Sequence, residues 1–371
     1  MSKKITVKKK LKNFNKVISV PGDKSLSIRW VLFSSLANGI STAKNLLFSD
    51  DVLAAIDTIK KLGIKVKFNK KECKIYGKGF DGYKYKKNII LNAKNSGTLG
   101  RLILGLIINS PYSIKLIGDN SLSKRDFKRI TDPLSKFGVK FKLKNNKFLP
   151  LTIFGSPNLK SINYKENLGS AQCKSSVIFA GMRSSGKTFI KAKKSRNHTE
   201  LLSKYLKLPI QVIRKKHHDY IKVSKVSEFK ALNYEIPSDI SSSAFFIVLT
   251  ALSKNSKLTI KNVNINPSRS GIITILKKMG VNIILKNKKK YKGEINADIK
   301  VKTSNSLKAI NCPTELNSNA IDEFLVIFLV AAKAKGVSYF KNLEELNQKE
   351  SPRLIWAEKI LKKMGVKTVT T

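Results

Sequence analysis

Five stretches of the chain are apolar almost without interruption: residues 30–37, 102–108, 177–182, 244–252 and 324–332. A helix at a protein surface shows one apolar stripe, so runs that are apolar all round predict helices buried inside a domain. Each run leads into a β-prone segment and then an amphipathic helix, as in Ile56, Leu62 and Ile64 against Lys60 and Lys61; these second helices are expected on the outside. A short strand introduced by glycine closes the pattern. It reads Leu62-Gly63-Ile64-Lys65-Val66, Phe137-Gly138-Val139-Lys140-Phe141, Met279-Gly280-Val281-Asn282-Ile283 and Met364-Gly365-Val366-Lys367-Thr368, with a degenerate copy at residues 206–212. The repeat is roughly 70 to 85 residues long, longer than a solenoid repeat and sufficient for a small folding unit. The fold class expected is α/β, with repeated βαβαββ units packed around buried helices in two lobes and five units visible.

Composition bounds the protein further. With 371 residues, 42% of them hydrophobic, the chain can bury a sizeable core and is expected to form two domains. The longest apolar run, 324–332, is too short to span a bilayer, and the basic N-terminus has no apolar segment behind it, so a cytoplasmic protein without a membrane partner is expected. Cys73, Cys173 and Cys312 are odd in number and far apart, and with His198, His217 and His218 they form no ligand spacing, so neither disulfides nor a metal is expected. The formal charge of +49 invites a nucleic-acid partner. Lysines are spread over every segment, however, without interleaved aromatic residues, and solvated lysine-rich faces are the preferred reading. Only nine of the 73 basic residues are arginine, and six of these (Arg29, Arg101, Arg125, Arg129, Arg196, Arg353) lie in or just beyond the motif stretches below. In so lysine-rich a chain, arginines mark places that need a rigid fork for carboxylate or phosphate, which points to small anionic ligands.

Candidate chemistry gathers where the apolar helices begin. Pro21-Gly22-Asp23-Lys24-Ser25-Leu26-Ser27-Ile28-Arg29 reads as a tight turn between strand and helix; Asp23 can cap, and Ser25 and Arg29 share a helix face beside Lys24. Two cations and a hydroxyl meet there with free N–H groups and the positive end of the helix dipole, which favour an anion. Taken alone, the nonapeptide also fits a capped surface helix with incidental basic residues. Asn95-Ser96-Gly97-Thr98-Leu99-Gly100-Arg101 repeats the design, Gly97 allowing close backbone approach to a ligand. Ser170-Ala171-Gln172-Cys173-Lys174-Ser175 offers hydroxyl and amide donors at a third helix start, and Cys173 has no histidine near it in sequence to make a nucleophile. Ile321-Asp322-Glu323-Phe324 and Glu344-Glu345-Leu346-Asn347-Gln348-Lys349-Glu350-Ser351-Pro352-Arg353 place carboxylates among cations, an arrangement suited to acid–base work. Gly181-Met182-Arg183-Ser184-Ser185-Gly186-Lys187-Thr188 fits the nucleotide-binding GxxxxGK[ST] pattern, but a helix precedes it and a β-prone run follows, the reverse of a P-loop, so no nucleotide site is expected. Pro237-Ser238-Asp239-Ile240-Ser241-Ser242-Ser243 is expected to cap a helix at the lobe junction.

In order and over nearly the whole chain, these stretches closely resemble the motifs of the 3-phosphoshikimate 1-carboxyvinyltransferase (EPSP synthase) family. Gly118-Asp119-Asn120-Ser121-Leu122-Ser123-Lys124-Arg125 resembles its Gly-Asp-x-Ser-Leu-x-x-Arg, with Asp126-Phe127 in place of Pro-Met, and Ser195-Arg196-Asn197-His198-Thr199-Glu200 resembles Ser-Arg-Asp-His-Thr-Glu with Asn197 for Asp. Asn347 and Pro352 replace an arginine and an aspartate of the last motif. The resemblance implies transfer of the enolpyruvyl group from phosphoenolpyruvate to the 5-hydroxyl of shikimate-3-phosphate in the shikimate pathway of aromatic amino-acid biosynthesis, without metal or cofactor, by a monomer. It implies Lys24, Asp322 and Glu350 as catalytic residues. Shikimate-3-phosphate falls to Lys24, Ser25, Arg29, Ser170, Ala171, Gln172, Arg196, Asp322 and Lys349, and phosphoenolpyruvate to Lys24, Gly97, Arg125, Gln172 and Arg353. It further implies a first lobe at 20–235 and a discontinuous second lobe at 1–19 plus 236–371. The family has six units, so the sixth, the C-terminal sixth of its length, is expected to be missing, and with it an Asp-His-Arg motif and a lysine that contact phosphoenolpyruvate. A catalytically impaired remnant that binds only shikimate-3-phosphate is therefore one alternative reading. An RNA-binding protein is another, and a UDP-sugar enolpyruvyl transferase a third, though the Lys-Asn opening and mobile-loop cysteine of that enzyme are absent.

Overall fold

The computed structural model describes residue 6 and residues 11–69, 71–348 and 351–370. Strand β1 (Asn15–Ile18) leads through Pro21-Gly22 into helix α1 (Lys24–Leu36), then β2 (Asn38–Lys44), α2 (Asp50–Lys61), β3 (Lys65–Phe68) and β4 (Glu72–Lys78). The succession repeats as β5 (Ile90–Asn92), α3 (Gly97–Leu106), β6 (Ile114–Ile117), α4 (Lys128–Ser135), β7 (Lys140–Lys144) and β8 (Phe148–Phe154). It repeats again as β9 (Asn163–Glu166), α5 (Ala171–Gly181), β10 (Lys187–Lys193), α6 (His198–Tyr205), β11 (Ile210–Arg214) and β12 (His218–Ser224). A fourth round holds β13 (Tyr234–Glu235), α7 (Ile240–Leu252), β14 (Lys257–Asn264), α8 (Gly271–Lys278), β15 (Ile283–Tyr291) and β16 (Glu294–Lys302). Helices α9 (Asn317–Ala320), α10 (Phe324–Ala331) and α11 (Arg353–Lys363) follow. The mixed α/β architecture is the one the apolar runs called for.

All four sheets share one strand order, a parallel outer pair followed by two antiparallel neighbours. In the second and third sheets that parallel pair comes from one repeat, β5 beside β6 and β9 beside β10. In the other two the outer strand is exchanged: β13 lies parallel to β2, pairing Tyr234 with Ala43, and β1 lies parallel to β14, pairing Asn15 with Lys257. The chain therefore crosses over twice, and the crossings bond to each other. The Asp23 N–H donates to the Pro237 carbonyl at 2.8 Å, and the Asp239 N–H donates to the Pro21 carbonyl at 3.0 Å. Gly22 is required at this contact, since a Cβ there would sit 2.1 Å from the Asn45 carbonyl oxygen.

Helices α1, α3 and α5 lie side by side. Arg29 meets Ser175, and one turn on Phe33 meets Phe179 with ring centroids 5.0 Å apart. Thr98 meets Gln172, and farther along Gly105 approaches Ser176. Pairs that advance together along both partners require parallel helices, with all three N-termini at one end. Phe33 is fully buried, and removing such a side chain from water contributes roughly 1.5–3 kcal/mol. The buried apolar residues form two clusters, one extending from Leu26 to Ile236 and the other comprising Val20 and residues from Ile240 onward.

Two expectations are corrected. The last two apolar runs are not enclosed: on α7 Phe245 is 66% and Leu249 46% exposed, and on α10 Leu325 is 38% exposed. An apolar sequence states what a helix can bury, whereas burial needs a neighbour that reaches it, and no described element covers that face. The fifth copy also lacks its sheet among the described residues. Positions 308 and 311 meet 335 and 339 only as isolated parallel bridges, and Val366-Lys367-Thr368, read as a closing strand, has no ladder partner to hold it extended. Among the described residues, no helix is long and apolar enough to cross a membrane.

Candidate active site

The common end of α1, α3 and α5 is where the sequence placed its candidate chemistry. Each helix is capped by its own side chain. Asp23 accepts from the Leu26 N–H at 2.8 Å, Ser96 from Leu99 at 3.3 Å, and Ser170 from Cys173 at 3.2 Å. The first-turn N–H groups that remain, and three positive dipole ends, make one region attractive to anions. Lys24 and Ser25, Gly97 and Thr98, and Ala171 and Gln172 occupy those first turns. Lys24 is about half exposed, its Nζ 3.5 Å from Asp51 on α2.

Between α3 and α5 the Gln172 amide is held at both ends, accepting from Arg101 Nη1 and donating to Thr98 Oγ1 at 3.0 Å. Gly97 is the point of closest approach, because a Cβ there would lie 3.0 Å from Arg125 Nη1 and 3.4 Å from Arg101 Nη1. Arg125 also donates to Asn95 at 2.9 Å. Phe127, where the resembled motif has another residue, is buried and lies under the Arg101 guanidinium at 5.5 Å.

A second group faces this one. Arg196, just before α6, donates to Asp322 at 2.5 Å, and Arg353, opening α11, donates to the other carboxylate oxygen at 3.2 Å. Pro352 does not disturb this, since its φ of −72° suits entry into a helix. The neighbouring Glu323 is turned away into a buried pair with Arg269 at 2.6 Å, also accepting from Ser241. Burial would lower the Arg269 pKa, but Glu323 and further carboxylates outweigh it and raise it. Lys349 and Glu350 lie outside the described residues.

Arg29 joins the two groups. It is 2% exposed and donates to Thr199 on α6 at 2.8 Å, to Ser175 on α5 at 3.2 Å and to the Ser25 carbonyl at 3.1 Å. Burial pushes its pKa down to about 10, and burial with Arg129 and Arg125 nearby pushes Arg101 down to about 10, so both stay charged at neutral pH. Among the described residues, both arginines donate only to neutral oxygens. Buried positive charge with no carboxylate in hydrogen-bond contact is what an anionic ligand completes.

Other sequence readings meet their surroundings here. Burial raises the pKa of the Cys173 thiol, which opposes a nucleophile. Helix α5 ends at Gly181 and β10 begins at Lys187, so the P-loop-like stretch runs from helix to strand. Among the described residues no group of three His, Cys, Asp or Glu could hold a metal ion. A cavity of about 420 Å³ lies on the outer face of the β9–β12 sheet, lined by Phe189, Ile213 and Tyr220 among lysines, but none of the converging residues above reaches it. Thr98, Ser175, Thr199 and Arg269 were missed as members of the network; only arginine scarcity could have marked Arg269.

A family model described as EPSP synthase (3-phosphoshikimate 1-carboxyvinyltransferase) matches residues 8–371. The 3-phosphoshikimate 1-carboxyvinyltransferase of Thermoanaerobacter sp. (strain X514) is 40% identical over 370 residues, covering 99% of this chain and 85% of that protein. The protein of the same name from Petrotoga mobilis (strain DSM 10674 / SJ95) is 38% identical over 357 residues, covering 95% of this chain and 82% of that protein. A solved EPSP synthase from Acinetobacter baumannii superposes with a TM-score of 0.86 at 34% identity, covering 97% of this chain and 80% of that one. The enolpyruvyl transferase NikO from Streptomyces tendae shares the fold at a TM-score of 0.68 and 11% identity, covering 87% of this chain and 74% of that one. Coverage of this kind does not establish a lost C-terminal segment.

Proposed function

The chain belongs to the EPSP synthase (3-phosphoshikimate 1-carboxyvinyltransferase) family, and from that premise we propose how its own residues divide the work. The reaction joins shikimate-3-phosphate and phosphoenolpyruvate, within the shikimate pathway of aromatic amino-acid biosynthesis. Shikimate-3-phosphate is taken by Lys24, Ser25, Arg29, Ser170, Ala171, Gln172, Arg196, Asp322 and Lys349, and phosphoenolpyruvate by Lys24, Gly97, Arg125, Gln172 and Arg353. Two multiply charged substrates suit a place where three helix N-termini and several arginines meet.

In the addition step, Asp322 accepts the proton of the substrate 5-hydroxyl as its oxygen bonds to the central carbon of phosphoenolpyruvate. Glu350 delivers a proton to the methylene carbon, giving a tetrahedral adduct. Loss of a proton from the new methyl group and departure of phosphate then restore the double bond, with Lys24 assisting as a cationic acid–base group. The phosphate of bound shikimate-3-phosphate competes with Asp322 for Arg196, and the Asp322 oxygen released from Arg196 takes the hydroxyl proton. The lobes are assigned to residues 20–235 and to 1–19 plus 236–371; the two core clusters fit this division except at its edges, where Val20 packs with the second cluster and Ile236 with the first. The reading extends to a monomeric cytoplasmic enzyme that takes small anions rather than nucleic acid.

The observation that carries this division is Arg29, a buried cation that, among the described residues, is bonded only to neutral oxygens. Titration calorimetry with shikimate-3-phosphate tests it. Lys24→Ala and Arg29→Ala should each weaken binding by at least about tenfold, or about 1.4 kcal/mol, because each removes a charge-assisted bond. Unchanged affinity in folded variants would remove these residues from the anion site.

A further inference from the structure

The stretch that supplies Arg196 reaches several distant parts of the chain. Arg196 reaches Asp322, and Asn197 Oδ1 accepts from Asn266 at 2.9 Å. His198 Nδ1 lies 2.8 Å from Glu294, Thr199 Oγ1 accepts from Arg29 Nε at 2.8 Å, and Glu200 lies 2.8 Å from Lys174 Nζ. The Thr199 contact bears directly on a substrate-binding cation. A guanidinium has five N–H donors, and the protein acceptors described for Arg29 are the hydroxyls of Thr199 and Ser175 and the Ser25 carbonyl. The two hydroxyl oxygens are themselves 2.7 Å apart and hydrogen-bonded, so they form one unit along an edge of the guanidinium. Glu200 follows Thr199 directly in sequence, but its carboxylate is fully buried against Lys174, whose side chain is 0% exposed. Glu200, Asp23 and Glu294 act on Arg29 only through space; the acceptors in hydrogen-bond contact with the guanidinium are neutral oxygens, which steer it without forming an ion pair.

We propose that Thr199 is a positioning residue for Arg29, with Ser175 completing the cradle: the hydroxyl pair fixes the plane of the guanidinium while leaving its positive charge for the substrate anion. The proposal rests on Arg29 binding shikimate-3-phosphate. A carboxylate in the same place would hold the side chain equally well and neutralise it. A valine would keep the shape of Thr199 and remove the acceptor, leaving a buried Nε–H unsatisfied and the fork free to turn.

The test is calorimetric binding of shikimate-3-phosphate to wild type, Thr199→Val, Thr199→Ser, Ser175→Ala and Arg29→Ala, with circular dichroism as the check on folding. Thr199→Val should bind about tenfold or more weakly, Thr199→Ser should stay within about threefold of wild type because the hydroxyl returns, and Ser175→Ala should fall between them. If Thr199→Val does not fold, Ser175→Ala carries the test through the other half of the cradle. Wild-type binding by Thr199→Val and Ser175→Ala, with Arg29→Ala weakened, would overturn the cradle and leave the site intact. Equal weakening in Thr199→Val and Thr199→Ser would show a packing role and overturn it too. Wild-type binding by Arg29→Ala would remove the site reading itself.

Discussion

At Gly97 the difference between glycine and alanine is one methyl group aimed at two guanidiniums. Its carbon would stand 3.0 Å from Arg125 and 3.4 Å from Arg101, and both are flexible side-chain ends, so the fold can yield while the anion site cannot keep its shape. Gly97→Ala should therefore raise the KM for phosphoenolpyruvate by about tenfold and leave shikimate-3-phosphate affinity within about twofold, since two charge-assisted contacts are displaced on one side only. Steady-state kinetics with each substrate varied decides it, and equal change in both constants would count against the placement. At this scale the scarce arginines were informative without coordinates, because a rigid fork is kept where an anion needs it. The roles of Asp322 and Glu323 were not separable in the same way. They are adjacent, and only the packed neighbourhood turns one toward Arg196 and Arg353 and the other toward Arg269.

The site depends on α3 and α5 keeping register. Gly105 lies against α5 so closely that a Cβ would sit 2.2 Å from the Ser176 carbonyl oxygen, a backbone atom that cannot step aside. Gly105→Ala should force the helices apart, lower folding stability by about 1–3 kcal/mol and loosen the Thr98–Gln172 bond at their N-termini. Urea unfolding measures the first effect, and an unchanged midpoint would show that the helices have room to spare. The apolar runs made these helices legible, since continuous hydrophobicity over a helical length has few other uses in a chain of this kind. They could not show which helices would be enclosed: α1 is buried at eleven of its thirteen positions, whereas α7 leaves Phe245 and Leu249 in solvent.

Across the whole molecule, the turn between β15 and β16 reaches α6. Gly293 approaches the Leu201 carbonyl, and Glu294, 1% exposed, meets His198 at 2.8 Å and accepts from Asn266 at 2.9 Å and Asn264 at 3.2 Å. Burial alone would raise the pKa of Glu294, but His198 and these hydrogen bonds outweigh it and hold the carboxyl below its ordinary 4.5. A carboxyl with a depressed folded pKa contributes stability in full above its unfolded value and loses it as pH falls through the folded one. Wild type should therefore lose stability below about pH 4.5 with a slope that Glu294→Gln lacks by up to one proton, or about 1.4 kcal/mol per pH unit. Urea unfolding between about pH 3 and 5 measures both slopes, and parallel curves would show that Glu294 titrates normally.

Periodicity, glycine turns and the placing of a few arginines were local properties, and the amino-acid order by itself determined them: an α/β chain of βαβαββ units, apolar helices with polar, hydroxyl-bearing starts, and the motif order of one enzyme family. What only the tertiary structure decided were relations between distant positions. The exchange of β1 and β13 between sheets, the convergence of three helix starts, and the meeting of Arg29 with Thr199 across 170 residues depend on packing that no short window contains. The same holds for the burial of Glu200 against Lys174 and for the neutral oxygens that meet Arg29. Local pattern reports what each segment can bury or bond, and packing selects which partner it meets, because a hydrogen bond or a closed core requires atoms from both sides at once.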